Sequence, residues 1–373
     1  MPRFARRTIC LFFALLCLTS MIPCQAAAPT VSASAYVLLD ADGGRVLLAH
    51  HETEELAIAS TTKIMTALVA LSHSRPSDVV TVKREHLREG SSMYLAEGET
   101  VTMEALLYGL MLPSGNDAAE CIADYCGGDG GAERFVAWMN ETAAALGMTH
   151  TSFANPSGLD AEGHYSCALD MARLMAHAMT VPEFAKLVSA KTATVGTRSM
   201  SNHNKLLSLM EGCIGGKTGY TGKAGRTLVT CAERDALRLV AVTLHDGNDW
   251  DDHTALYNYG FATYHRESAL RRGDVCAMTA VRGGEAVSVP LSAEEGFACA
   301  LAEGEALTLR IEATETADAP IKAGQALGEA VVSLDGAELA RVPLTAAYAV
   351  KAAESPAKPT LSERLRALFG ARR

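Results

Sequence analysis

The chain has 373 residues and a formal net charge of -10 at pH 7. An acidic balance of that size argues against nucleic acid as a partner, because phosphate backbones are held by clustered lysine and arginine. No internal repeat or low-complexity array breaks the chain, so it reads as ordinary globular sequence between two distinctive ends.

At the N-terminus, Arg3, Arg6 and Arg7 precede an apolar run over residues 9–22, and Gln25-Ala26-Ala27-Ala28 supplies small residues for cleavage. Residues 1–27 are expected to be a secretory signal peptide, which makes the mature protein an exported one. Two apolar runs follow, Tyr36-Val37-Leu38-Leu39 and Arg45-Val46-Leu47-Leu48. The Asp40-Ala41-Asp42-Gly43-Gly44 segment between them lacks the remaining ligands of a calcium loop and is expected to be a hairpin turn.

Residues 58–71 are apolar and rich in helix formers, and they contain Ser60-Thr61-Thr62-Lys63 near their start. Residues three apart on a helix share a face, so the Lys63 amine can meet the Ser60 hydroxyl at the positive end of the helix. A serine is a poor nucleophile until a base takes its proton, and an amine does so only when desolvation or a neighbouring cation lowers its pKa. Further on, helical patterns over 104–112, 117–126 and 133–146 flank Pro113-Ser114-Gly115-Asn116, a tight connection that presents a hydroxyl and a carboxamide. A third string, Lys217-Thr218-Gly219-Tyr220, opens a series of three short strand-like runs. On an edge strand it offers a cation and a hydroxyl to a carboxylate, while the glycine lets a peptide lie alongside. Each string alone has an ordinary explanation: a helix cap with a surface lysine, a capping turn, and a Gly-rich hairpin. Ser355-Pro356-Ala357-Lys358 shows that the first spacing also arises by chance. The signal is the set of three in one order.

The stretch after Leu244, His245-Asp246-Gly247-Asn248-Asp249-Trp250-Asp251-Asp252-His253, meets no zinc or calcium spacing and is expected to be an acidic loop leading into a helix. Seven cysteines remain beyond the signal region, an odd number without a CxxC spacing. They are expected to act mainly as small buried hydrophobes. From residue 266 to 350 short β-like runs alternate with Gly and Asp turns, which reads as a separate small all-β sandwich with a spacer or docking role. Residues 351–373 read as a Pro- and Ala-rich linker and a short amphipathic helix. There Leu361, Leu365, Leu368 and Phe369 fall at helical spacing among arginines, suited to an anionic membrane surface and too short to span it.

The three ordered strings match the pattern of penicillin-binding proteins and class A β-lactamases, with Ser-Gly-Asn in place of Ser-Asp-Asn. With Asn155-Pro156-Ser157-Gly158, His164-Tyr165-Ser166, Asp170 and Asn202-His203-Asn204-Lys205, the chain resembles the serine D-alanyl-D-alanine carboxypeptidases, the low-molecular-mass penicillin-binding proteins, from about Ala35 to Tyr264. The resemblance implies an α/β (α+β) transpeptidase fold over 28–265 with an all-helical lobe, and peptidoglycan stem peptides and β-lactams as partners, without a cofactor or metal. It also implies that Ser60 is acylated, that Lys63 takes its proton and that Ser114 relays one to the departing D-alanine. Asn116 would hold the acyl-chain amide, Lys217 and Thr218 the free carboxylate, and the backbone N–H groups of Ser60 and Tyr220 the oxyanion, with Gly219 between them.

One departure stands out: some relatives carry a basic residue shortly after the strand ending near Leu244, and residues 245–253 contain no arginine or lysine. A β-lactamase is an alternative, but the deacylating Glu-x-x-x-Asn element of class A enzymes is missing, since Glu162 is followed four places on by Ser166. A second alternative is a penicillin-sensing, cell-wall-binding protein without turnover, against which the full catalytic set argues.

Overall fold

The computed structural model describes residues 27–354 and Ser362. All but the last residue of the expected signal peptide lies outside them, as do Ser355, Lys358 and all but Ser362 of the expected amphipathic tail.

The centre is a five-stranded antiparallel sheet built from β1 (Ala35–Asp40), β2 (Val46–His50), β3 (Cys213–Thr221), β4 (Gly225–Arg234) and β5 (Leu237–Leu244), in the order β2-β1-β5-β4-β3. β5 lies in the middle and is buried on both faces, which is why its residues 239–242 are apolar in succession rather than in alternation. Its Val240, Val242 and Leu244 face the main core, while Leu239 and Ala241 pack with Leu256 and Tyr257 in a second core. β3, with the Lys217 string, is an edge strand, the position in which that string can lie alongside a peptide.

Helices α1 (Lys63–His73), α2 (Met103–Met111), α3 (Asn116–Gly127), α4 (Gly131–Ala145) and α5 (Ala168–Ala178) build the main core on one face. The second face is covered by α6 (Asp249–Thr263), which begins inside the stretch 245–253 expected to be a loop, so that Asp249, Asp251 and Asp252 fall in its first turn, where acidic residues suit a helix N-terminus. It lies close because Gly260 has no Cβ, which would fall 2.6 Å from Leu239 Cδ1 and 2.9 Å from Leu38 Cδ2. The three helical patterns of the lobe begin within two residues of α2, α3 and α4.

Beyond α6 the chain is all β. Tyr264–Leu270 pairs antiparallel with Phe297–Ala302, and a six-stranded sheet runs Leu307–Ala313, Ala326–Leu334, Ala337–Ala346, Ser288–Ala293, Val275–Arg282 and Thr316–Asp318. The two layers share one apolar core, with Leu270 of the ribbon beside Val289, Leu291, Val332 and Leu344 of the sheet. The Asp40–Gly44 turn is a hairpin, and it docks on this ribbon: Asp40 Oδ2 accepts from Ala300 N at 2.7 Å, and Arg45 grips Glu305 with two bonds of 2.6 Å. A Cβ on Gly43 would overlap Cys299 Cβ, so only glycine lets the two units approach this closely. The seven cysteines are free thiols, with Cys121, Cys167, Cys231 and Cys299 buried.

α6 also carries a buried neutral imidazole. His253 lies 2.8 Å from Thr230 Oγ1 and 3.1 Å from Thr243 Oγ1, and burial holds its pKa down to about 3. Below its ordinary value near 6.5 the unfolded chain takes up a proton that the folded chain refuses, so stability is lost as pH falls from about 6.5 toward 3. The slope from one such group is at most about 1.4 kcal/mol per pH unit. His253→Gln is expected to flatten the fall in urea stability between pH 6.5 and 4 by up to that slope. An unchanged slope would count against the buried neutral histidine.

Candidate active site

The first sequence string sits on a 3-10 turn, Ala59–Thr62, that runs directly into α1, rather than inside the α-helix. A 3-10 turn places residues i and i+3 one above the other, so the Ser60–Lys63 spacing survives the change. The entry is strained: Ala59, not a glycine, has φ +47, a conformation costing on the order of 1 kcal/mol or more. Several contacts hold it. Thr62 Oγ1 donates to Ala59 O (2.8 Å), while Thr61 and Thr227 hydroxyls both donate to Ile58 O (2.6 and 3.1 Å). His164 completes the brace: its Nδ1 accepts from Ala154 N at 3.0 Å, so the proton is on Nε2, which lies 2.8 Å from Thr62 Oγ1. Burial lowers the His164 pKa to about 4 and keeps the ring neutral.

Lys63 has no exposed surface. Its Nζ lies 2.9 Å from Ser60 Oγ and 2.8 Å from Asn116 Oδ1, and it also bonds Ser157 O. Desolvation, and then the charge of Lys217, drive its pKa well below the ordinary lysine value. Asn116 Oδ1 and Ser157 O can only accept, so among the three partners of Nζ the Ser60 hydroxyl is the one group able to give it a proton. The orientation of Asn116 is set from both ends, because its Nδ2 donates to Glu89 O at 2.7 Å and only its Oδ1 is left for the amine.

Asn116 is the first residue of α3, and the buried Asp117 beside it organises the facing loop. That carboxylate accepts from Ser92 Oγ (2.6 Å) and from Met93 and Leu95 N–H (3.1 Å each). Ser114 precedes it with φ +66, and its hydroxyl is buried without a partner. An unsatisfied buried hydroxyl costs about 1–3 kcal/mol, and this one lines the cleft beside Ser60.

β3 closes the other side. Lys217 is 1% exposed, donates to Thr218 O at 2.8 Å and has its pKa lowered to about 7 by burial. At Gly219 an added Cβ would overlap Thr227 Oγ1 and fall 3.0 Å from Ser60 N, so glycine is what lets the strand touch the Ser60 turn. Tyr220 is 71% exposed and lines the cleft. A cleft of about 610 Å³ opens over Ser60, Ser114, Thr218, Gly219 and Tyr220.

The residues singled out from sequence therefore gather in one place: Ser60, Ser114, Thr218, Gly219 and Tyr220 line the cleft, with Lys63, Asn116 and Lys217 buried at its wall. Sequence reasoning gave no role to Ser157, Gly158, Asn155 or His164, although their strings were noted. Asn155 Oδ1 holds the Ser157 and Gly158 N–H groups (3.2 and 2.7 Å), and a Cβ on Gly158 (φ +85) would overlap Ala59 O. Arg226 and Trp250 were not singled out either, yet both line the cleft.

Comparison with known proteins agrees with this geometry. A family model described as D-alanyl-D-alanine carboxypeptidase matches residues 23–248, and one described as penicillin-binding protein 5, C-terminal domain, matches 264–352. The chain is 32% identical to D-alanyl-D-alanine carboxypeptidase DacF of Bacillus subtilis, over 86% of each chain. It is 33% identical to D-alanyl-D-alanine carboxypeptidase DacC of Escherichia coli, over 85% of this chain and 84% of that one. Among solved structures, penicillin binding protein 5 from Haemophilus influenzae superposes with a TM-score of 0.76 at 29% identity, over 87% of this chain and 99% of that one. A mutant of the Streptomyces K15 DD-transpeptidase gives 0.61 at 31% identity, over 63% and 99%. With the sheet, the helical lobe, the cleft and the β-rich C-terminal unit all in agreement, the chain belongs to the serine-type D-alanyl-D-alanine carboxypeptidase family.

Proposed function

We propose that this carboxypeptidase removes the terminal D-alanine of peptidoglycan stem peptides through an ester on Ser60, and that β-lactams trap the same serine. The single observation that carries the mechanism is the buried Lys63 amine, 2.9 Å from Ser60 Oγ with its other bonds taken by Asn116 and Ser157. In this reading the amine takes the hydroxyl proton as Ser60 Oγ bonds to the penultimate carbonyl carbon. The oxyanion meets the N–H groups of Ser60 and Tyr220, and such a pair of donors is typically worth two to three orders of magnitude in rate. The unpartnered Ser114 hydroxyl relays the proton to the departing D-alanine nitrogen as the amide bond breaks, which explains why a costly buried group is retained. Asn116 orients the lysine and the acyl-chain amide, and Thr218 and Lys217 face the free carboxylate. Water then cleaves the ester.

The catalytic unit in this reading spans 28–265 and the β unit 266–350. The signal peptide exports the protein, and the amphipathic tail holds it on the outer face of the cytoplasmic membrane. Among the described residues no helix is long and apolar enough to cross a membrane.

Ser60→Ala is expected to abolish both release of D-alanine from a D-Ala-D-Ala-ended muropeptide and labelling by fluorescent penicillin, while Ser355→Ala leaves both intact. Peptide mapping by mass spectrometry locates the acyl group, and an adduct elsewhere would defeat the assignment. Acylation should rise with pH as Lys63 loses its proton, on a limb below the ordinary lysine value of 10.5. In Lys63→Arg, whose guanidinium cannot be deprotonated in this range, that limb should vanish with at least about a hundredfold loss of rate. Removal of the residues after Thr360 should shift the mature protein from the membrane fraction to the soluble one on sedimentation.

A further inference from the structure

The cleft contains a cation that the family-derived strings do not include. Arg226, on β4, stands opposite Tyr220 of β3 in the sheet register, and Thr218 stands opposite Leu228. Because side chains alternate along a strand, Thr218, Tyr220 and Arg226 project from one face of the sheet, and Thr218 and Arg226 are diagonal neighbours within reach of a long side chain. That is the face covered by α6, and the first turn of α6 braces the arginine. Asp249, with a side chain 4% exposed, accepts from Arg226 Nη2, and the guanidinium lies over the Trp250 ring at 5.7 Å. Arg226 itself remains 44% exposed in its side chain, and one of its five N–H donors is engaged by Asp249. The side chain lines the cleft together with Ser60, Thr218 and Tyr220.

Lys217 is less suited to hold a carboxylate unaided. It is almost wholly buried, donates to the Thr218 carbonyl and has its pKa lowered to about 7, so part of its population lacks a charge at neutral pH. Lys205 also lines the cleft but is exposed and without a bracing partner. A guanidinium keeps its charge and pairs with a carboxylate through two parallel bonds, and one fixed by an acid and an aromatic ring loses little freedom on doing so.

We propose that Arg226, with the Thr218 hydroxyl, is the principal ligand for the substrate's free terminal carboxylate and so sets the preference for a C-terminal rather than an internal peptide bond. This deepens the acyl-transfer reading of the same cleft and rests on it. In that role Arg226 also fills the place left by the absence of any arginine or lysine from residues 245–253, through a residue of the neighbouring strand.

The test compares kcat/KM for a D-Ala-D-Ala peptide with that for the same peptide capped as a C-terminal carboxamide, in the wild type, Arg226→Gln and Arg226→Lys, with thermal melting as a check of folding. The wild type is expected to prefer the acid. In R226Q that preference should fall by about 10- to 100-fold, mainly through KM, with the amide rate little changed, and R226K should lie between because it restores charge without the fork. An unchanged acid-to-amide ratio, or equal losses on both substrates, would overturn the proposal. If R226Q melts early, R226K carries the same test by its ratio. Failure of the acyl-transfer reading shows separately, as a wild type that forms no Ser60 ester with either peptide.

Discussion

The structure turns on the burial of one amine. Lys63 Nζ is wholly buried, where desolvation and then the charge of Lys217 hold its pKa down, and a buried amine has to find its hydrogen-bond partners inside the protein. The partners come from three places in the chain: Ser60 on the preceding turn, Asn116 at the head of α3, and the Ser157 carbonyl from the loop before α5. The helical lobe and the sheet region are therefore joined at this amine. Displacing any one of the three would leave an unsatisfied polar group at the centre of the molecule.

Much of the surrounding strain serves the same end. The left-handed Ala59 and Ser114, the neutral His164 bracing Thr62, and the bare backbones of Gly158 and Gly219 cost stability or forgo side-chain packing. Together they allow a turn, a strand and a loop to come within van der Waals distance of one serine. The cost is offset by an extensive apolar core that packs α1 to α5 against β1 and β5. Farther out, the Asp40–Gly44 hairpin turn clasps the C-terminal ribbon through Ala300 and Glu305. The second unit is thus seated at the end of the sheet opposite β3.

The cleft is a local exception in charge. The protein as a whole is acidic, whereas Lys205, Lys217 and Arg226 all lie at or beside the cleft and Asp249 there is occupied by Arg226. A substrate that ends in a free carboxylate is drawn to such a place by field as well as by contact.

The sequence by itself determined the reaction class, the three ordered strings, the helices of the lobe, the strand character of the Lys217 segment and the change to β structure after α6. These are legible because spacing on a helix, alternation on a strand and the chemistry of a side chain are local properties. The 3-10 character of the Ser60 turn was not legible, since it depends on what presses on Ala59 from residues 154 to 164. Nor were the Ser157 carbonyl, which a sequence cannot distinguish from any other carbonyl, or Arg226, whose relation to Thr218 exists only through strand register. Tertiary structure decided those, because burial, pKa and the direction of a hydrogen bond are set by neighbours far away along the chain.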